Sequence, residues 1–175
     1  MKKISTLVLI SFLAVVSGCT TVAVTGRKQL ALVPDSELNS MSFQQYGTVL
    51  TESRLSSNEQ QTAQVRYVGV RIQKAVETYM QENNMSDRLK GYAWEFNLIE
   101  ENTVNAWCMP GGKVAFYTGI LPVCGDETGI AVVMGHEVAH AIARHGNERM
   151  TQGLIQQFGG VALAYALKEK PAMAQ

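Results

Sequence analysis

The stretch His136-Glu137-Val138-Ala139-His140 carries the residue types and the spacing that a metal-assisted hydrolysis needs. On a helix, residues four apart lie one turn apart on the same face, so both imidazoles can reach a single zinc ion. Glu137 lies about 100° further round, where its carboxylate can take the proton of a water activated by the metal. Zinc would lower the pKa of that water and polarise the scissile carbonyl, and Glu137 would pass the proton to the leaving amine. Two incidental histidines in a core helix would leave Glu137 without a reason, because an unpaired carboxylate among apolar residues is costly. His145 is five residues beyond His140 and would sit about 180° around a continuing helix from His136, so it cannot complete the same site. The metzincin spacing is not met either, since its Gly and His positions hold Ala143 and Gly146. Arg144, His145 and Glu148 are expected to form a polar network at the helix end.

The elements that must hold these residues can be read from periodicity. Asp126 can cap a helix with Glu127 in its first turn, and Ile130 to Ala143 is apolar on nearly all sides, which predicts a buried helix. Gly146-Asn147 punctuates it, and a further helical run extends from about Glu148 to Lys168. Upstream, Asp35 to about Glu52 reads as a short helix capped by Asp35 or Ser36. Asn58 to about Asn83 reads as a longer one, with Val65, Val68, Ile72, Val76 and Tyr79 along one face. Between these helices lie three β-rich runs: Tyr92 to Ile99, Thr103 to Met109, and Lys113 to Thr118. The last two flank Pro110-Gly111-Gly112, a hairpin signal. Helices first, then strands, then helices again gives an α+β class.

Composition narrows the setting. Of 175 residues, 46% are hydrophobic and 17% charged, enough for one buried core and against disorder. Fifteen basic residues balance 15 acidic ones, and no basic tract offers an electrostatic footprint for nucleic acid. Lys2 and Lys3 precede the apolar run Leu7 to Val16, which is too short to span a bilayer core of about 30 Å. Residues 1–18 therefore read as an export signal. Val16-Ser17-Gly18-Cys19 resembles the lipobox of bacterial lipoproteins, in which the cysteine carries the lipid. Residues 19–34 show no sustained period and read as a lipid-anchored tether. Cys108 and Cys124 would then share an oxidising compartment, either bridged or as free thiols.

Asn105-Ala106-Trp107, Met109-Pro110-Gly111-Gly112-Lys113, Tyr117-Thr118-Gly119 and the motif from His136 to Arg144-His145 together resemble one family. It is the gluzincin group of HtpX, the mitochondrial Oma protease and the CAAX prenyl endopeptidases, and within it the LoiP- and BepA-like lipoprotein branch. Thr25-Gly26-Arg27-Lys28-Gln29-Leu30 also recurs near the start of such proteins. The resemblance implies a zincin-like core, with the HExxH helix packed on a small β-sheet and flanking helices, over residues 35–175. It further implies a Zn2+-dependent endopeptidase acting on exported or outer-membrane polypeptides, often misfolded ones. Such a protein sits at the periplasmic face of the envelope, lipid-anchored and more at the outer membrane than the inner. By the same analogy the strand with Asn105, Ala106 and Trp107 holds substrate through main-chain bonds.

One departure stands out. The family's third zinc ligand is a Glu in a Glu-x-x-x-Asp motif downstream, and after His140 the only acids are Glu148 and Glu169. The resemblance thus implies a domain lacking its C-terminal part. Weak metal binding, little peptidase activity and low solubility are then expected, because a catalytic zinc has three protein ligands and a water. A contrasting reading is a catalytically silent lipoprotein that binds unfolded chains along the hairpin edge.

Overall fold

The computed structural model describes residues 19–22 and 24–169, with side chains from 20 to 22 and 24 to 158. The proposed signal segment 1–18 lies outside the described residues, as do the side chains of Cys19 and Glu169. Strand β1 (Cys19–Thr21) pairs antiparallel with β2 (Lys28–Leu30). Helices α1 (Asp35–Glu52) and α2 (Glu59–Glu82) follow, then strands β3 (Glu95–Ile99), β4 (Ala106–Met109) and β5 (Lys113–Tyr117). A short helical turn, Leu121–Cys124, leads into α3 (Glu127–Ile142), which carries the HExxH motif, and α4 (His145–Glu169).

Local chemistry explains most of these boundaries. Asn58 starts α2 by accepting the Gln61 N–H at 3.0 Å, and Asp126 starts α3 by accepting the Gly129 N–H at 3.0 Å. Helix α1 departs from expectation: Pro34 holds its cap position with no side-chain bond, and Asp35 pairs with Arg144 instead. At the β4–β5 turn, Gly111 and Gly112 have φ of 82° and 83°, a region open to glycine at little cost.

The three-stranded sheet has the order β3-β5-β4, with β3 parallel and β4 antiparallel to β5. The expected hairpin is therefore present, and its first strand, β4, forms an edge. Side chains alternate across the sheet and fill two cores. Phe96, Leu98, Ala106, Val114 and Phe116 meet Val65 and Val68 of α2 and Ile130, Met134 and Val138 of α3. On the opposite face Ile99 and Ala115 meet Tyr46 of α1, whose hydroxyl donates to the Val114 carbonyl at 2.8 Å. Each large apolar side chain fully buried there contributes on the order of 1.5–3 kcal/mol.

Two expectations change. Helix α3 packs on the sheet but is buried on one face only: Ile130, Met134, Val138, Ala141 and Ile142 are covered, while Val132 is 68% exposed and His136 and Ala139 face outward. An all-apolar helix can leave one stripe open when its neighbours, α2 and the sheet, lie on the same side. The stretch read as a tether is likewise held in place from Leu32 to Val33. Leu32 N–H donates to Thr151 Oγ1 at 3.0 Å, and Asn147 Nδ2 donates to the Val33 carbonyl at 2.8 Å. Its partners lie on α4, more than 110 residues later, so no local period could have announced them.

Candidate metal centre

Helix α3 delivers His136, Glu137 and His140 to the side of the molecule next to β4. The two imidazoles lie edge to face, with Nε2 of His136 and Nε2 of His140 at 3.0 Å. Zinc–nitrogen bonds of about 2.0–2.1 Å place two nitrogens of a tetrahedral shell about 3.3 Å apart, so a zinc ion fits after an opening of a few tenths of an ångström. Among the described residues no group of three or more His, Cys, Asp or Glu surrounds that point.

Glu137 is half-buried, and no hydrogen bond or ion pair holds its carboxylate among the described residues. It faces β4. Burial, and after it the charge of Glu137, pushes the Cys108 thiol up to about 12, so the thiol stays protonated beside the carboxylate. Cys108 and Cys124 are both free.

The helix does not continue past Ala143. Arg144 takes φ of 60°, a left-handed conformation that costs a non-glycine residue about 1–2 kcal/mol. The chain then turns into α4 at His145. On a continuing helix His145 would point away from the site; the turn at Arg144 brings it back instead. Its Nδ1 lies 2.7 Å from Nδ1 of His140, on the ring nitrogen that faces away from His136. Burial, and then neighbouring His140 and Arg27, lower the His145 pKa. The polar network expected of Arg144, His145 and Glu148 takes another form: among the described residues no side-chain bond joins the three, and each pairs with a residue outside the set. Arg144 pairs with Asp35, Gln29 Nε2 donates to the Ala143 carbonyl at 3.0 Å, and Arg27 donates to both oxygens of Glu148 at 2.7 and 2.6 Å. That pair holds the Glu148 carboxyl below its ordinary range.

A cleft of about 370 Å³ runs from His140 to β4, lined among others by Trp107, Cys108, Met109, Tyr117 and Arg144. Tyr117 N–H donates to the Asn105 carbonyl at 3.1 Å, which sets the phase of the ladder. By antiparallel alternation, Ala106 and Cys108 turn their N–H and C=O groups to the outer edge, away from β5. The Asn105 side chain is exposed and Ala106 is buried against the main core. Trp107 stacks edge-on to Tyr46 and its indole N–H donates to the Tyr117 hydroxyl at 3.3 Å. Sequence reasoning missed Cys108, Tyr117, Arg27 and Gln29 as neighbours of the site. The recurring string from Thr25 to Leu30 was the one available signal for the last two.

Comparison with known proteins adds the family. The model of peptidase family M48 matches residues 69–174. Mitochondrial metalloendopeptidase OMA1 of Arabidopsis thaliana is 39% identical over 83 residues, covering 47% of this chain and 17% of that protein. Its counterpart in Saccharomyces cerevisiae is 40% identical over 77 residues, covering 43% and 22%. Metalloendopeptidase OMA1 of Bos taurus is 27% identical over 139 residues, covering 79% and 26%. The chain thus spans about a quarter or less of the length of these relatives. The match begins within α2 and takes in the whole sheet and the HExxH helix, and on that ground the chain belongs to peptidase family M48.

Proposed function

We propose that this chain carries the metal-binding and proton-transfer centre of a zinc-dependent endopeptidase that cleaves exported or outer-membrane polypeptides, misfolded ones above all. The observation that carries the reading is the convergence of two Nε2 atoms at 3.0 Å beside a free carboxylate, next to an open strand edge. His136 and His140 would hold zinc through Nε2. Bound zinc supplies Lewis acidity toward the scissile carbonyl and toward the attacking water. Glu137 accepts the proton of that water and later delivers it to the leaving nitrogen. The outward N–H and C=O groups of Ala106 and Cys108 pair with an extended substrate main chain, a mode that depends on chain shape more than on side-chain identity. Attachment to the envelope through a lipid on Cys19 completes the proposal. Among the described residues no helix is long and apolar enough to cross a membrane.

The test uses the chain as it stands, incubated with zinc and a reduced, unfolded protein such as casein. With two of the three protein ligands a catalytic zinc takes among the described residues, weak cleavage is expected, abolished by chelator, restored by zinc and reduced about 10²–10⁴-fold by Glu137→Gln. Cleavage that survives Glu137→Gln would overturn the assignment of the base. Capture of casein without cleavage, indifferent to chelator and to Glu137→Gln, would favour the silent binding protein instead.

A further inference from the structure

We propose that His145 is a positioning residue: its Nδ1 accepts a hydrogen bond from Nδ1–H of His140 and so fixes the tautomer and ring plane that aim His140 Nε2 at a metal shared with His136. The inference rests on the reading of His136 and His140 as zinc ligands.

A neutral imidazole carries one ring proton. For Nε2 of His140 to hold a metal, that proton must sit on Nδ1, and the group facing Nδ1 at 2.7 Å is the Nδ1 of His145. With the acceptor in place, His140 is held in the tautomer that metal binding needs. Without it, the proton can occupy Nε2, where it blocks the metal. Partners of this kind orient ligating histidines and raise their basicity, and losing one costs about 10–100-fold in metal affinity.

The backbone supports the assignment independently. On an unbroken helix His145 would face away from His136. It reaches His140 because Arg144 adopts a left-handed conformation, an outlier for a residue with a long side chain. Three residues from the N-terminal part of the chain hold that turn: Asp35 on Arg144, Gln29 on the Ala143 carbonyl, and Arg27 on Glu148 in the first turn of α4. A strained turn beside two candidate ligands, held from three directions, is expected where the chain must place one ring against another.

The test combines spectroscopy with metal affinity on the full chain labelled with ¹⁵N-histidine. In the zinc-loaded protein, a scalar coupling across the hydrogen bond between the two Nδ1 nitrogens is expected, with the proton assigned to His140. Its absence would overturn the proposal. By competition with a chromophoric chelator, His145→Leu should weaken zinc binding about 10–100-fold. His145→Asn, whose carbonyl can accept the same proton, should recover most of that loss. If His145→Leu does not fold, the coupling and the Asn variant still decide. His136→Ala separates the two readings. Binding lost in His136→Ala but unchanged in His145→Leu would sink the positioning role alone, whereas unchanged binding in His136→Ala would sink the metal site beneath it.

Discussion

The buried face of α3 and the turn beyond its C-terminus are built in opposite ways. Its buried face, Ile130, Met134, Val138 and Ile142, is held by many interchangeable apolar contacts with α2 and the sheet. The turn just past its C-terminus is held by single polar bonds from residues far earlier in the chain: Gln29, Asp35 and, on the adjoining α4, Arg27. The first arrangement fixes where the helix lies. The second fixes how one imidazole is turned. Non-directional burial sets the frame to within about an ångström, and directional bonds must do the rest, because metal binding depends on the angle of a ring.

The largest expected effect tests the frame. Met134→Ala, at a fully buried position, should cost about 2–5 kcal/mol by urea unfolding, while Val132→Ala on the open stripe should stay within about 0.5 kcal/mol. Equal losses would show that α3 is covered on both sides in solution. Gly69→Ala comes next. A Cβ there would lie 2.4 Å from the Phe96 ring, where α2 crosses β3, so overpacking of about 1–3 kcal/mol is expected in the same measurement.

Asn147→Ala probes the polar end. Its side chain is fully buried and donates to the Val33 carbonyl, so its loss should cost about 1–3 kcal/mol. Limited proteolysis should then nick residues 24–33 before any other segment. A variant that resists nicking would mean that the N-terminal segment is held by other contacts.

The smallest effect concerns the thiols. Alkylation at pH 8 should label Cys124 well before Cys108, whose pKa is the more strongly raised. The folded Cys108 keeps its proton up to about 12, whereas the unfolded chain releases it from about 9. The folded state therefore binds more protons in that window, and stability should fall as pH rises through it. Cys108→Ala should flatten this part of the stability curve, and an unchanged slope would show the thiol to be solvated.

Much of the frame was legible because it is local. Asp126 acts as the cap its sequence context predicts, Asn58 starts the helix read from that position, and the β4–β5 hairpin follows from Pro110-Gly111-Gly112. The pairing of β3 parallel to β5, which leaves β4 at the edge, joins strands that are not neighbours in sequence, and periodicity says nothing about it. Polar segments were the least legible. Residues 28–33 have no hydrophobic rhythm because backbone groups and amides hold them: 28–30 pair with 19–21, and the Gln29 side chain, Leu32 and Val33 bond residues more than 110 positions away.

The sequence by itself determined the chemistry on offer: two imidazoles and a carboxylate at helical spacing, an apolar face to seat them, and a hairpin beside them. Those are consequences of a 3.6-residue period and of local turn chemistry, which act within a few residues. Only the tertiary structure decided that the helix breaks at Arg144, that His145 turns back onto His140, and that Arg27, Gln29 and Asp35 hold the break. Each of these depends on a directional bond between residues distant in the chain, and such a bond exists only once the fold has brought its partners together.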